Sequence, residues 1–373
     1  MESDKHDTPM RVLHVLGGLN FGGAETMVMN LYRNIDRRRI QFDFVIHTQE
    51  KCDYEDEILS LGGKIYRFPR FRGYNVFQYI REWKLFFQHH EEYRIIHGHM
   101  RSTASIYLLI AKRQGRYTIA HSHNVSNGTG VAALVKNIMQ LPIRSIADSF
   151  FACSEAAGEW LFGKKSVSGT RFYIIPNSID VHKFAYNVEK REKLREAYNL
   201  QDQWVIGNVA RFHRQKNHEF MIRLFAALKE QYPDAKLVLV GDGKTKGRIV
   251  QLIEKSGLQD NVLILAPTLD VAGIMQMLDV FILPSEYEGF GMVAVEAQLA
   301  GLPVICSKNV PGDVKISENI AFLPLDDTEV WKDKLRACRS FSRTAIDINE
   351  QALQYDSSKT ASWLMDFYLN CRQ

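Results

Sequence analysis

Two glutamates eight residues apart, Glu288 and Glu296, bracket a glycine-bearing turn in the segment LPSEYEGFGMVAVEAQLAGLPVI at 283–305. The run DVFILPS before the turn has the composition of a buried strand, and the residues after it have that of a helix. Gly289, Phe290 and Gly291 therefore fall at a strand-to-helix junction. Glycines there let backbone N–H groups approach a ligand closely, and the helix N-terminus favours a phosphate. Eight residues of helix at 1.5 Å each keep the two carboxylates within about 12 Å, so one can stand on each side of a bound diphosphate. A carboxylate accepts hydrogen bonds from hydroxyls, so one can hold a ribose and the other a sugar. Two solvated helix acids are the ordinary reading of such a pair; the glycines and the strand end argue against it.

Three further groups sit at the ends of strand-like runs, where α/β sheets bind ligands. After WVIGNVA come Arg211, His213, Arg214, Lys216 and Asn217, cations suited to clamping a departing diphosphate. After the first run comes GGLNFGGAET, in which Gly17, Gly18, Gly22 and Gly23 precede a helix. Its glycine spacing is wrong for a dinucleotide fingerprint but suits a loop that approaches a phosphate or sugar. His121 ends the run YTIA with His123 just beyond, and His97 and His99 follow another run. An imidazole at a strand end can contact a sugar near its reacting centre, although a lone histidine is more often structural. These four histidines lack a helix-borne pair or a carboxylate partner, and no Asp-x-Asp run stands out, so metal independence is expected.

The elements that position these groups follow from periodicity. Strand-like runs at 11–16, 42–47, 64–69, 94–99, 116–121, 149–154 and 171–176 alternate with helical spacing, for example over 24–35, 76–88 and 102–113. The alternation restarts after IPNSID and a charged helix near 187–198, with runs at 204–210, 236–241, 261–266, 279–284, 303–307 and 321–325. This predicts two similar α/β domains with parallel sheets. The closing stretch KTASWLMDFYLNCRQ carries Trp363, Leu364, Phe367 and Tyr368 on one helical face, which needs a surface to cover.

Length agrees: 373 residues exceed what one core usually organises, and 46% apolar with 24% charged is ordinary soluble composition. No apolar run approaches the roughly 20 residues of a membrane span, and the polar start MESDKHDTP lacks a signal-peptide core, so a cytoplasmic location is expected. Five scattered cysteines read as reduced structural thiols. Residues 1–176 hold 23 Lys plus Arg against 17 Asp plus Glu, and residues 177–373 hold 24 against 26. The basic first half suits an anionic membrane surface or a diphosphate-bearing acceptor, or is simply a solvated surface; nothing points to nucleic acid.

Together these segments resemble glycosyltransferase family 4, in particular its bacterial exopolysaccharide and capsule branch, over nearly the whole chain. FGGAET at 21–26 is similar to the family's amino-terminal glycine loop, IPNSID at 175–180 to its interdomain signature, ARFHRQKN at 210–217 to its basic loop, and VGDG at 240–243 to a strand end of its second domain. SEYEGFGMVAVEAQLAGLPV at 285–304 resembles its most specific stretch. The resemblance implies the GT-B fold, two Rossmann-like domains facing a central cleft. Residues 1–178 would form the acceptor-side domain, with the helix 357–373 packing back on it, and 179–356 the nucleotide-sugar domain.

It also implies transfer with retention of anomeric configuration and no protein nucleophile. Arg211 and Lys216 would bind the diphosphate, Glu288 the donor sugar and Glu296 the ribose, with Gly22 and Gly23 on the phosphate side and His121 beside the reacting sugar. Gly289, Phe290 and Gly291 would complete the donor site. The implied donor is a UDP-sugar, with a GDP-sugar as the alternative. The implied acceptor is a saccharide, often lipid-linked, at the inner membrane face, so peripheral membrane association is expected. The aromatics Tyr79, Trp83, Phe86 and Phe87 agree with such a surface but fit a core face better.

Two departures from the family pattern bear on specificity. Ala266, Pro267 and Thr268 replace a usual glycine near the base, and SKNVPGDVKIS replaces a glycine-rich stretch beside the donor sugar. A sugar-nucleotide epimerase, a phosphorylase or a non-catalytic nucleotide-sugar-binding subunit are alternatives on the same architecture.

Overall fold

A computed structural model describes residues 8–123 and 130–371. The polar start up to Asp7 and the last two residues of the expected C-terminal helix lie outside the described residues. The chain separates into two compact units, one running to Ile179 and resuming at Tyr355, the other Asp180–Gln354. Each is an α/β unit around a parallel, Rossmann-like sheet.

The strands of the first unit are β1 (Met10–Leu16), β2 (Ile40–Ile46), β3 (Ile65–Arg67), β4 (Ile95–Gly98), β5 (Tyr117–Ser122), β6 (Ser149–Ala152) and β7 (Phe172–Ile174). Those of the second are β8 (Trp204–Val209), β9 (Ala235–Val240), β10 (Val262–Leu265), β11 (Val280–Leu283), β12 (Val304–Ser307) and β13 (Ile320–Leu323). The sheet orders are β3-β2-β1-β4-β5-β6-β7 and β10-β9-β8-β11-β12-β13. Helices on both faces leave the central strands dry, which is why they read as nearly continuous apolar runs: all seven residues of β2 are buried. Strand order reverses between β1 and β4 in one sheet and between β8 and β11 in the other. At such a point the loops leaving the carboxyl ends diverge and open a crevice.

In the first unit, one face of the sheet packs Val12, Phe42 and Phe44 against Met27 and Leu31 of the helix Gly23–Asn34. The helix Ser357–Asn370 shares this core through Ala361, Leu364 and Tyr368. Phe367 is partly buried against the same cluster, and Trp363 is 39% exposed. The returning chain is tied where the first unit was left, Ile179 donating to the Tyr355 carbonyl and Ser357 to that of Ile179, each at 2.8 Å. The opposite face packs the helix Val76–His89. There Tyr79, Trp83 and Phe87 are wholly buried and Phe86 partly so, which makes these aromatics core and removes them as a lipid-facing patch.

A different segment exposes apolar side chains. The helix Val131–Gln140 presents Val131, Leu134, Val135 and Ile138 to solvent, followed by exposed Leu141. No helix among the described residues is long and apolar enough to cross a membrane. The five cysteines are free thiols, with Cys52, Cys153, Cys306 and Cys338 buried.

Candidate active site

The loops leaving β8 and β11 are sewn together at the reversal point of the second sheet. Glu286 donates its backbone N–H to the Gln215 carbonyl at 2.7 Å, and the Gln215 side chain donates to the Tyr287 carbonyl at 2.8 Å. Across this seam the Lys216 ammonium pairs with the Glu288 carboxylate. Ser285 donates its hydroxyl to the same carboxylate oxygen at 2.6 Å, and Ser307 in turn donates to the Ser285 carbonyl at 2.6 Å. The Glu288 side chain is only 6% exposed and that of Lys216 19%. A pair this dry is far less tolerant of losing one partner than a surface pair, because the remaining charge is left buried and unpaired.

Lys216 owes its position to the backbone. Residues Arg214–Lys216 form a single 3-10 turn that ends at Asn217, held in the left-handed region at φ 55°. The neighbouring loop after β9 fixes the strand end itself. Ala210 and Phe212 donate to the carbonyls of Val240 and Asp242 at 3.0 and 2.8 Å. Gly241 comes so near that a Cβ there would lie 2.1 Å from the Ala210 carbonyl oxygen. The VGDG segment thus serves as a brace for the basic loop. Arg211, at the head of that loop, is exposed and has no ion-pair partner among the described residues.

Glu288 is not on the helix, contrary to the picture of two acids spaced along one. The helix spans Met292–Leu299, with Gly291 as its N-cap at φ 96°, a conformation that strains any residue with a side chain. No side chain caps this end; Ala294 donates to the Gly291 carbonyl at 2.9 Å, and the amides ahead of it are left for solvent or a ligand. Gly289 and Phe290 form the partly buried approach to it. Glu296 does lie on the helix, partly buried and without a hydrogen-bond partner among the described residues. Burial raises its carboxyl to about 7, against the opposing charge of Lys183.

In the first unit the glycine loop follows β1 and ends at Gly22, the extended N-cap of the helix Gly23–Asn34, again without a side-chain cap. The loop is pinned from behind, Phe21 donating to the Asp53 carboxylate and Asp53 to the Asn20 side chain at 3.0 and 3.1 Å. No atom lies within 4 Å of where a Cβ would stand on Gly17 or Gly23, so the loop offers bare backbone to a ligand.

His121 belongs to a cluster of five histidines, not four. His14, in the middle of β1, joins His97 and His99 of β4 and its exit with His121 and His123 of β5 and its exit. His14 Nδ1 lies 3.0 Å from His99 Nε2, and His99 Nδ1 lies 2.8 Å from His123 Nε2. His97 bridges the Tyr368 hydroxyl and His121. Burial holds all five imidazoles well below their usual range, His14 and His123 at about 3, so the rings are neutral. Two overlapping triples, His14–His97–His99 and His99–His121–His123, bring one ligand nitrogen each within 4.8 Å of one another. Neutral imidazoles can ligate a transition metal, but neither triple contains a carboxylate to offset a buried double charge.

Sequence reasoning missed His14, Ser285, Gln215 and Tyr368. His14 is hidden inside an apolar strand, and the other three acquire meaning only from contacts across the sheet.

Residues 21–183 match the family Glycosyltransferase Family 4, and residues 190–320 match Glycosyl transferases group 1. The chain is 35% identical to EpsF of Bacillus subtilis (strain 168), a protein named as a glycosyltransferase, over 96% of both chains. It is 26% identical, over 61% of each, to the UDP-Gal:alpha-D-GlcNAc-diphosphoundecaprenol alpha-1,3-galactosyltransferase of Escherichia coli. Among solved structures, Anabaena Alr3699/HepE in complex with UDP and glucose superposes with a TM-score of 0.76 at 19% identity, covering 97% of this chain and all of that one.

Proposed function

The chain belongs to glycosyltransferase family 4, with a group 1 glycosyl transferase domain in its second half, and on that premise we propose that it moves a hexosyl group from a UDP-sugar to a lipid-linked saccharide with retention of configuration. In this reading the product extends an exopolysaccharide or capsule unit. The observation that carries the site assignment is the Lys216–Glu288 pair, set beside an uncapped, glycine-started helix where the β8 and β11 loops diverge.

A nucleotide diphosphate is recognised by positive charge and by backbone N–H groups. Arg211 and Lys216 provide the first, the amides beginning the helix Met292–Leu299 the second. When the diphosphate arrives, Lys216 shares its charge between Glu288 and the phosphate oxygens. Glu288 then accepts from hydroxyls of the transferred sugar and Glu296 from the ribose. Phe290, between its two glycines, completes the donor site. As the bond from the anomeric carbon to the diphosphate oxygen breaks, the growing negative charge meets Lys216 and Arg211. The acceptor oxygen attacks the same face, and its proton passes to the departing phosphate oxygen. Charge is met by the protein's own cations, so the reading is metal-independent.

UDP is favoured by the likeness to HepE, solved with UDP, and to the galactosyltransferase, whose name gives UDP-Gal as donor. The latter name also supports a diphospholipid acceptor. The exposed apolar face of Val131–Gln140 supports peripheral attachment to a membrane holding such a lipid.

The test is incubation with UDP- and GDP-sugars, with and without lipid-linked saccharides, following nucleotide release and the anomer formed. Acceptor-dependent UDP release with an α-linked product from an α-donor is expected. An epimer formed without acceptor would replace the reading with an epimerase; tight donor binding without turnover would make the chain a binding subunit.

A further inference from the structure

A recess of about 400 Å³ lies within the second unit, lined by the start of the helix His218–Lys229, the start of the helix Lys246–Lys255 and the loops after β8 and β11. It is separate from the ion pair described above, since neither Lys216 nor Glu288 lines it.

Its charge and its backbone both suit an anion. Arg214, Arg223 and Arg248 line it against two acids, Glu219 and Glu286. Arg248 pairs with Glu219 at 3.0 Å, and Arg214 stands 3.7 Å from Glu286. The exposed Arg223 has no ion-pair partner among the described residues, so one positive charge is left over. No side chain caps either helix. The N–H groups of His218 and Glu219 in one, and of Gly247 and Arg248 in the other, donate to nothing among the described residues. Two helix starts and a spare guanidinium on one recess make a seat for a phosphate.

A buried side chain narrows the ligand further. His218 lines the recess, is 2% exposed, and has no hydrogen-bond partner for either ring nitrogen among the described residues. Its ring stacks on Phe212 at 4.2 Å between centroids and 12° between planes, which fixes its orientation. Burial, with the charge of Lys216 nearby, lowers its pKa to about 4, so the ring is neutral. A neutral imidazole carries one N–H and one lone pair, and leaving them unmet in the interior is costly. A phosphate oxygen without a proton can meet only the N–H, whereas a hydroxyl can meet either. The volume, too, falls in the range of small-molecule sites, roughly 300–1,000 Å³, and exceeds the need of a lone anion.

We propose that this recess is a binding site for the phosphate monoester of a sugar, its phosphate held by Arg223 and the two helix starts and its hydroxyls met by His218. The site does not rest on the transfer activity proposed above.

The experiment is calorimetric titration of the full chain with glucose 6-phosphate, inorganic phosphate and glucose. Glucose 6-phosphate should bind, inorganic phosphate should bind about tenfold more weakly, and glucose should give no measurable heat. Arg223→Gln, a change at an exposed position, should weaken glucose 6-phosphate binding by about tenfold or more, the scale of one hydrogen bond to a charged group. His218→Phe, which keeps a ring against Phe212, should abolish the preference for glucose 6-phosphate over inorganic phosphate. Arg211→Gln, outside the recess, should bind as the wild type does. No binding of glucose 6-phosphate by the wild type, equal binding by Arg223→Gln, or a loss in Arg211→Gln as large as that in Arg223→Gln overturns the proposal. Inorganic phosphate bound as tightly as glucose 6-phosphate overturns the assignment of a sugar. Arg223→Gln decides the matter even if His218→Phe folds poorly. Absence of sugar transfer would count against the proposed function and not against this site.

Discussion

Lys216 and Glu288 lie 72 residues apart in sequence and meet as a nearly dry ion pair, with Ser285 completing the shell of the carboxylate. One side chain thereby holds the other in place. In the proposed function a diphosphate would compete with Glu288 for the ammonium without displacing it.

Different consequences follow for the two partners. Glu288→Gln keeps the shape and the Ser285 hydrogen bond but leaves Lys216 without its counter-charge, so it should cost about 1–2 kcal/mol of stability, much less than its effect on turnover. Turnover should fall by about 100-fold or more, the scale of one donor or acceptor lost at a transition state. Lys216→Ala removes the charge from a buried carboxylate and should cost about 3 kcal/mol of stability as well as weakening UDP binding. Calorimetric UDP titrations and melting curves on both variants separate these effects.

Donor affinity should depend on pH through Glu296. Its carboxyl, raised from 4.5 to about 7, stays protonated in the folded protein over a range where the unfolded chain is charged. Stability is therefore favoured at low pH and declines as pH rises from 4.5 through about 7, by at most about 3 kcal/mol. Binding of the ribose diol favours the charged acceptor, so affinity for a UDP-sugar should increase as pH rises through 7. Titrations at pH 6 and 8 should show this increase in the wild type and its loss in Glu296→Gln.

The brace behind the basic loop gives a test on backbone alone. Gly241→Ala drives a methyl group against the Ala210 carbonyl, and backbone cannot move aside cheaply. It should destabilise by about 2 kcal/mol or more and weaken UDP binding with it. Gly247→Ala, inside the helix Lys246–Lys255 with open space around the site, should instead stabilise by up to about 1 kcal/mol.

Much of this site was legible in the sequence because strand ends and glycines mark where α/β sheets bind ligands. Arg211, Lys216, Glu288 and the glycines all announce themselves in that way. Their pairing was not legible, since β8 and β11 become neighbours only through the reversal of strand order. The cluster at His121 was half visible: His97, His99 and His123 stand at strand exits, whereas His14 is disguised as a core position and Tyr368 lies 271 residues from its partner. The aromatic face of Tyr79, Trp83 and Phe87 is core, as its pattern favoured, whereas the exposed apolar face near Leu134 gave no comparable signal. A helix period shows which residues share a face but not which face is covered, and Tyr79, Trp83 and Phe87 proved to be interior while Leu134 and Ile138 are outside.

Those two exposed leucine and isoleucine side chains should matter for attachment and not for folding. Leu134→Glu with Ile138→Glu should reduce co-sedimentation with anionic lipid vesicles by about tenfold or more, with stability changed by no more than about 0.5 kcal/mol per site.

Sugar transfer at the Lys216–Glu288 site is most directly tested by the UDP released from a panel of UDP-hexoses in the presence of membrane-extracted lipid-linked saccharides, comparing the wild type with Glu288→Gln. Release should require the acceptor and fall by about 100-fold or more in the variant. Release that ignores the acceptor, or that is equal in the two proteins, would contradict it.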